Sequence, residues 1–205
     1  MQEGGGAKSV SVRAVEGEKL RVRLFSASIQ TVQSDFKIKL DDIKNRIDID
    51  LVRKGKTSLT LAKLALNIEI ELPQQYLSKL ELDTHTTDLS LVSLSCPSIE
   101  LDGRISALSV DGVQARLEVQ TNLDMQISLR DFSGSFELNQ LFATSRLCAQ
   151  KDFAFRARKR GIANAICYEE NGAVVQSFSE AGAENYIELN GMKSELVIAR
   201  AEDAR

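Results

Sequence analysis

Four glutamates recur at a near-constant interval: Glu81, Glu100, Glu118 and Glu137. Each is the second residue of a repeated phrase: Leu80-Glu81-Leu82-Asp83, Ile99-Glu100-Leu101-Asp102, Leu117-Glu118-Val119-Gln120 and Phe136-Glu137-Leu138-Asn139. Two carboxylates about 5–9.5 Å apart, one with a raised pKa, are the machinery of glycoside hydrolysis. Strands stacked in register would set successive glutamates about 4.8 Å apart. Yet these glutamates come from a regular repeat, without the long insertions that build a cleft. They read instead as an outward ladder of like charge, repulsive unless cations or bases intervene.

Other residues invite chemistry. Asp83, His85 and Asp88 offer oxygen and nitrogen donors that a divalent metal could use. His85 is the single histidine, however, and no second ligand cluster follows at metal spacing. A polar turn whose Asp and Thr side chains bond local backbone accounts for these residues. Arg156, Arg158, Lys159 and Arg160 form the one basic run. On a strand the three arginines would project together, towards a phosphate, an acidic glycan or an anionic lipid surface. The favoured alternative is a solvated edge that discourages end-to-end pairing. Lys54-Gly55-Lys56-Thr57 echoes a phosphate loop but lacks the glycine that must precede it. Cys96, Cys148 and Cys167 are odd in number, far apart and without a CxxC pair. They fit buried thiols in a reducing compartment better than a disulfide framework, although one external disulfide stays open. These readings lead to no expected catalytic residue, metal site or cofactor, and to a chain that is not an enzyme.

The elements behind these residues are strands. The phrases start 19, 18 and 19 residues apart, at 80, 99, 117 and 136, and Phe153-Ala154-Phe155-Arg156 follows 17 later. A short fixed period with alternating side chains marks a β-solenoid. In each unit a second apolar pair follows: Leu89/Leu91, Leu108/Val110 and Ile127/Leu129, then Leu94, Val113 and Phe132. The sequence therefore predicts an all-β, right-handed, single-stranded parallel β-solenoid (β-helix) with coils of about 17–19 residues. One interior ladder would run Leu80, Ile99, Leu117, Phe136, Phe153, and its neighbour Leu82, Leu101, Val119, Leu138, Phe155.

Ahead of the coils lies a strand-rich N-terminal region of alternating runs: residues 10–15, 20–24, 36–40, 47–51, 59–61 and 66–72. Pro73 ends the last of them, since proline cannot donate to a ladder. Residues 74–79 are the one stretch with a case for a helical turn. Residues 1–9 read as a disordered lead and 199–205 as a frayed tail. One domain spans 10–198: a strand-rich part at 10–72, regular coils at 80–155, and C-terminal coils with a cap at 156–198. Within that cap, 186–189 and 195–198 read as a hairpin or last coil.

Composition narrows the function. Of 205 residues, 43% are hydrophobic and 27% charged, as in an ordinary globular protein. A net charge of −3 gives no electrostatic case for nucleic acid. The absence of tryptophan thins the stacking platforms a sugar-binding surface would use. No apolar run approaches the roughly 20 residues needed to cross a bilayer, and residues 1–8 lack the basic and apolar regions of a signal peptide. The expectation is either retention in the cell or an export segment missing from this chain.

The layout resembles a bacterial family described as putative adhesins with β-strand repeats, a domain of unknown function. The resemblance covers about residues 10–198. It rests on Ile68-Glu69-Ile70-Glu71-Leu72-Pro73, Lys79-Leu80-Glu81-Leu82-Asp83-Thr84, Thr87-Asp88-Leu89-Ser90-Leu91 and the repeated coils. Members usually carry Ser-Gly-Asp-Ile in the coil turn; Thr86-Thr87-Asp88-Leu89 stands there in this chain, so the glycine is lost. The resemblance implies a non-catalytic binding or adhesion protein of the cell envelope, meeting a protein or glycan surface. The alternative is an intracellular scaffold or sensor acting with an envelope-stress membrane protein. A carbohydrate-active β-helix enzyme is the third reading. Ligand, partner and oligomeric state are left open by the residues.

Overall fold

A computed structural model describes residues 7–26, 36–43, 46–53, 66–169, 173–175, 177–179 and 182–200. The Lys54–Thr57 stretch, the expected strand at 59–61 and residues 1–6 and 201–205 lie outside them, while residues 7–9 and 199–200, expected in a disordered lead and a frayed tail, are paired in strands. The described chain is all β. Its strands are β1 (Ala7–Val15), β2 (Arg21–Phe25), β3 (Phe36–Ile43), β4 (Arg46–Arg53), β5 (Asn67–Pro73), β6 (Leu80–Val92), β7 (Ser95–Asp111), β8 (Gln114–Gln120) and β9 (Gln126–Arg130). They continue with β10 (Ser133–Leu141), β11 (Thr144–Ala149), β12 (Phe155–Lys159), β13 (Ala165–Tyr168), β14 (Ala173–Val175), β15 (Ser177–Ser179), β16 (Asn185–Met192) and β17 (Glu195–Arg200). A 3-10 turn at Gln74–Tyr76 follows Pro73, where the helical turn was expected.

Fifteen strands join in one mostly parallel sheet that is not closed, while β3 and β4 pair antiparallel as a separate two-stranded sheet. The large sheet runs in two columns. The first holds the N-terminal halves of β6 and β7, then β8, β10, β16 and β12. The second holds β1, the C-terminal halves of β6 and β7, then β9, β11, β17 and β13. Antiparallel strands lie at either end: β2 on β5, β14 on β13 and β15 on β12. Such strands cover edges that would otherwise invite another chain.

Alternation sets the core. Leu80, Ile99, Leu117 and Phe136 stand in register, as do Leu82, Leu101, Val119 and Leu138. In the second column Val10, Leu89, Leu108, Ile127 and Leu147 align. Except for Leu80 and Leu82, which are half-buried, all of these are buried, and they belong to one continuous cluster. Leu94, Val113 and Phe132 join it from the bends.

The C-terminal order differs from the sequence reading. Phe136 pairs with Ile187 and Leu138 with Leu189, not with Phe153 and Phe155. Strand β12 lies one place further out, with Ala157 on Ile187 and Phe155 on Asn185. Thus β16 and β17 are not a cap but are inserted between two earlier layers. Asn185 is one physical reason. Its Oδ1 accepts from Gly134 N at 3.0 Å and its Nδ2 donates to Ala154 O at 3.0 Å, so one side chain ties β16 to the chain on both sides. Phe153 and Phe155 serve elsewhere, in an aromatic group with Phe132 and Tyr168 whose centroids stand 5.9–6.2 Å apart.

Candidate functional site: a ladder-built face

Because period two sends Leu80 and Leu82 inward, Glu81 and Asp83 must face out. The same parity in each strand of the first column builds outward rows. One is Glu81, Glu100, Glu118, Glu137, Glu188 and finally Arg158. Beside it runs Asp83, Asp102, Gln120, Asn139 and Asn190. On its other side run Ser98, Arg116, Ser135, Tyr186 and Arg156.

The glutamate row is neutralised by interleaved bases. Lys79 Nζ sits 2.6 Å from Glu81 and 2.9 Å from Glu100. Its hydrogen bonds to those two carboxylates hold the ammonium pKa above the ordinary lysine range. Arg116 bridges Glu118 and Glu137 at 3.5 and 3.3 Å. Asn139 Nδ2 donates to Glu118 at 2.9 Å. Side-chain exposure falls steadily along the row, from 54% at Glu81 through 44%, 33% and 23% to 5% at Glu188. Pairs this exposed are screened by solvent, so they cancel repulsion rather than hold the fold.

Glu188 was not anticipated from the sequence, although Ile187-Glu188-Leu189-Asn190 repeats the phrase more faithfully than Phe153-Ala154-Phe155-Arg156 does. It also explains the basic run. Arg158 and Arg160 reach its two carboxylate oxygens at 2.7 and 2.8 Å, and Tyr186 OH donates to it at 2.9 Å. Arg158 also stacks over the Tyr186 ring at 5.0 Å. Arg156 donates to Ala183 O, and Lys159 to Asn164 O at 2.8 Å. All four bases of the run therefore have intramolecular partners.

Asp83, His85 and Asp88 are exposed along β6, opposite Asp102, Arg104 and Ala107. No three His, Cys, Asp or Glu side chains among the described residues lie close enough to hold a metal ion. Cys96 is buried and Cys148 and Cys167 half-buried, all three as free thiols. Burial pushes the Cys96 thiol pKa up, partly opposed by a hydrogen bond with the Ser98 backbone.

Where the first column turns towards the second, two shallow depressions of about 420 and 180 Å³ share Gln120 and Asn122. Asp102, Arg104 and Thr121 line the larger, and Asn139, Gln140, Leu141 and Asn190 the smaller. Behind them Gln140 Nε2 donates to Leu123 O at 3.0 Å and Ser145 Oγ at 2.6 Å. This corner has no counterpart in the sequence reading, because its amides fall at the ends of the repeated phrase or beyond it.

These features define an all-β protein with one large, mostly parallel sheet and a polar face built from aligned rows. No known protein-family model and no curated protein matches the chain. Among solved structures, a "putative cell adhesion protein" from Clostridium sporogenes is similar at 12% identity, with 96% of this chain and 89% of that chain covered and a TM-score of 0.38. It is a distant structural neighbour. Among the described residues no helix is long and apolar enough to cross a membrane.

Proposed function

We propose that the chain is a non-catalytic binding protein of the adhesion type, wound as a right-handed β-solenoid and acting at the bacterial cell envelope. The observation that carries this reading is the outer face of the first column. Its rows are in register, and their glutamates are tied to Lys79, Arg116, Arg158 and Arg160 instead of standing free across a cleft. A paired carboxylate on an open face is poorly placed for acid–base work, which favours binding over hydrolysis. Offsets of 18–20 residues between paired positions, such as Leu80 with Ile99 and Leu147 with Ile127, support the wound arrangement. The resemblance in the repeated phrases favours the envelope.

Localisation of the native protein tests the reading, by fractionation and protease shaving of intact cells together with binding of the labelled chain to isolated envelopes. Cleavage from outside and saturable envelope binding are expected. Full protection, a soluble internal pool and no envelope binding would sink it. The intracellular scaffold reading is favoured by one observation, the three free thiols, which suit a reducing compartment.

A further inference from the structure

We propose that the corner at the end of the first column is a binding site for an uncharged, hydroxyl-rich chain, a neutral oligosaccharide. This deepens the binding reading above and rests on it. The depressions at that corner are lined by amides: Gln120, Asn122, Asn139, Gln140 and Asn190. Gln120, Asn139 and Asn190 are register neighbours, so they stand in a row at about 4.8 Å steps. Asn139 is held by Glu118. The side chains of Gln120, Asn122 and Asn190 make no hydrogen bond to other described residues. An amide offers a donor and an acceptor side by side, which matches a hydroxyl that donates and accepts at one atom.

A second observation lies in the same wall. Gln140 is 1% exposed and its Oε1 has no hydrogen-bond partner. Its side chain has the inward parity of Leu138 and is fastened to Leu123 O and Ser145 Oγ, so it braces the corner from behind. The rim supplies the apolar half of sugar recognition. Leu141 lines the smaller depression, and Phe142 follows it with 63% of its surface exposed. Phe142 holds φ at +56°, a strained conformation for a bulky residue, secured by its N–H to Met192 O at 3.0 Å. The same conformation recurs at Ser93, Asp131, Ala163 and Lys193, so it belongs to the bends of the fold; at this bend it presents an aromatic ring, with Lys193 Nζ 5.8 Å from its centroid, next to the depression that Leu141 lines.

Charge and topology exclude the other occupants. The residues shared by the two depressions are neutral, the two charged residues of the larger one, Asp102 and Arg104, carry opposite signs, and Glu118 and Glu137 in the adjoining row are committed to Asn139 and Arg116. An extended peptide would seek a free strand edge. Strands β7, β8, β10 and β16 are each paired on both sides in this column, so only side chains are on offer.

The test is NMR titration of the ¹⁵N-labelled chain with cellohexaose, maltohexaose and chitohexaose, and with an extended Ala/Ser peptide of similar length. Saturable shifts of the Gln120, Asn122 and Asn190 side-chain amides are expected with at least one saccharide and not with the peptide. Phe142→Ala, and Asn122→Ala with Asn190→Ala, should each weaken that binding by about tenfold or more at an unchanged melting temperature. If no saccharide moves these amides, or if the peptide alone does, the site is refuted. Envelope binding by Asn122→Ala/Asn190→Ala separates the two readings. Retained binding with silent amides fells this site and leaves the wider proposal standing. Saccharide shifts without envelope binding do the reverse.

Discussion

Replacing Gly191 by alanine probes the insertion of β16 against β10. Gly191 pairs with Gln140 and holds φ at +143°. A Cβ there would lie 1.7 Å from Gln140 O and 2.8 Å from Gln140 C, where 3.4 Å is ordinary contact. The clash is with backbone, so no side chain can swing aside. Relief requires β10 and β16 to part by more than 1 Å locally, which breaks roughly two or three ladder hydrogen bonds at about 1 kcal/mol each. The left-handed conformation adds about 1–2 kcal/mol. The total, about 3–5 kcal/mol, should lower Tm by roughly 6–20 °C in a chain of this size. Gly182→Ala is the control. Its φ is +72°, but nothing lies within 4 Å of its Cβ, so it carries the conformational cost alone. Circular-dichroism melts of both variants decide the matter. If Gly191→Ala and Gly182→Ala melt together, the close stacking of β16 on β10 is wrong.

Other perturbations test other parts. Leu101, 2% exposed between Leu82 and Val119, should not tolerate aspartate. A buried unpaired charge costs several kcal/mol, on the order of the whole stability, and a Leu101→Asp protein with unchanged Tm would refute the register. Glu71 ties β5 to β1 and β2 through Arg13 and Arg21. The hydrogen bond from Arg13 is the largest cause holding its carboxyl below the usual range; burial opposes it and Arg21 reinforces it. Stability from a depressed pKa is present above the unfolded value of about 4.3 and is lost as pH falls through the folded value. The Tm gap between wild type and Glu71→Gln should therefore narrow between about pH 6 and pH 3; a constant gap would count against the ion pairs. Iodoacetamide at mild alkaline pH should label Cys148 and Cys167 before Cys96, whose thiol is buried and raised in pKa. Faster labelling at Cys96, read by mass spectrometry, would show that its layer opens.

How much of this was legible depends on whether neighbours in space are also neighbours in the repeat. Between Leu80 and Leu138 they are. The phrase fixes the inward parity, and the constant offset fixes which leucine meets which. Beyond Phe136 the partner lies 51 residues away, at Ile187. Spacing alone favoured Phe153, and only the glutamate of Ile187-Glu188-Leu189-Asn190 marked the better match. The choice is made by contacts that no local pattern reports: Asn185 reaching both Gly134 and Ala154, and Glu188 gathering Arg158 and Arg160. The amide corner escaped notice for a related reason. Asn122 and Gln140 stand outside the repeated phrase, and their proximity arises only once the layers are stacked.

The insertion also changes what the C-terminal segment does for stability. In a simple linear stack the final layer can fray at the cost of one interface. Here β16 and β17 touch a layer on each side, and among the described strands the ladder partners of β12 and β13 are β15, β16, β14 and β17. Ile187, Leu189, Leu196 and Ile198 are each 0% exposed. At about 1.5–3 kcal/mol per buried side chain they contribute up to roughly 6–12 kcal/mol, an upper bound comparable with the stability of a whole domain. Removing residues 185–205 should therefore release 155–179 to protease and strip β10 of amide protection, while the layers from β6 to β9 suffer least. Hydrogen exchange followed by mass spectrometry reads this directly. Should the truncated chain keep full protection at Ala157 and Leu138, β12 can take the place of β16 on β10. The nearly regular spacing of Phe136 and Phe153 would then describe a real alternative pairing, and the inserted order would not be required for folding.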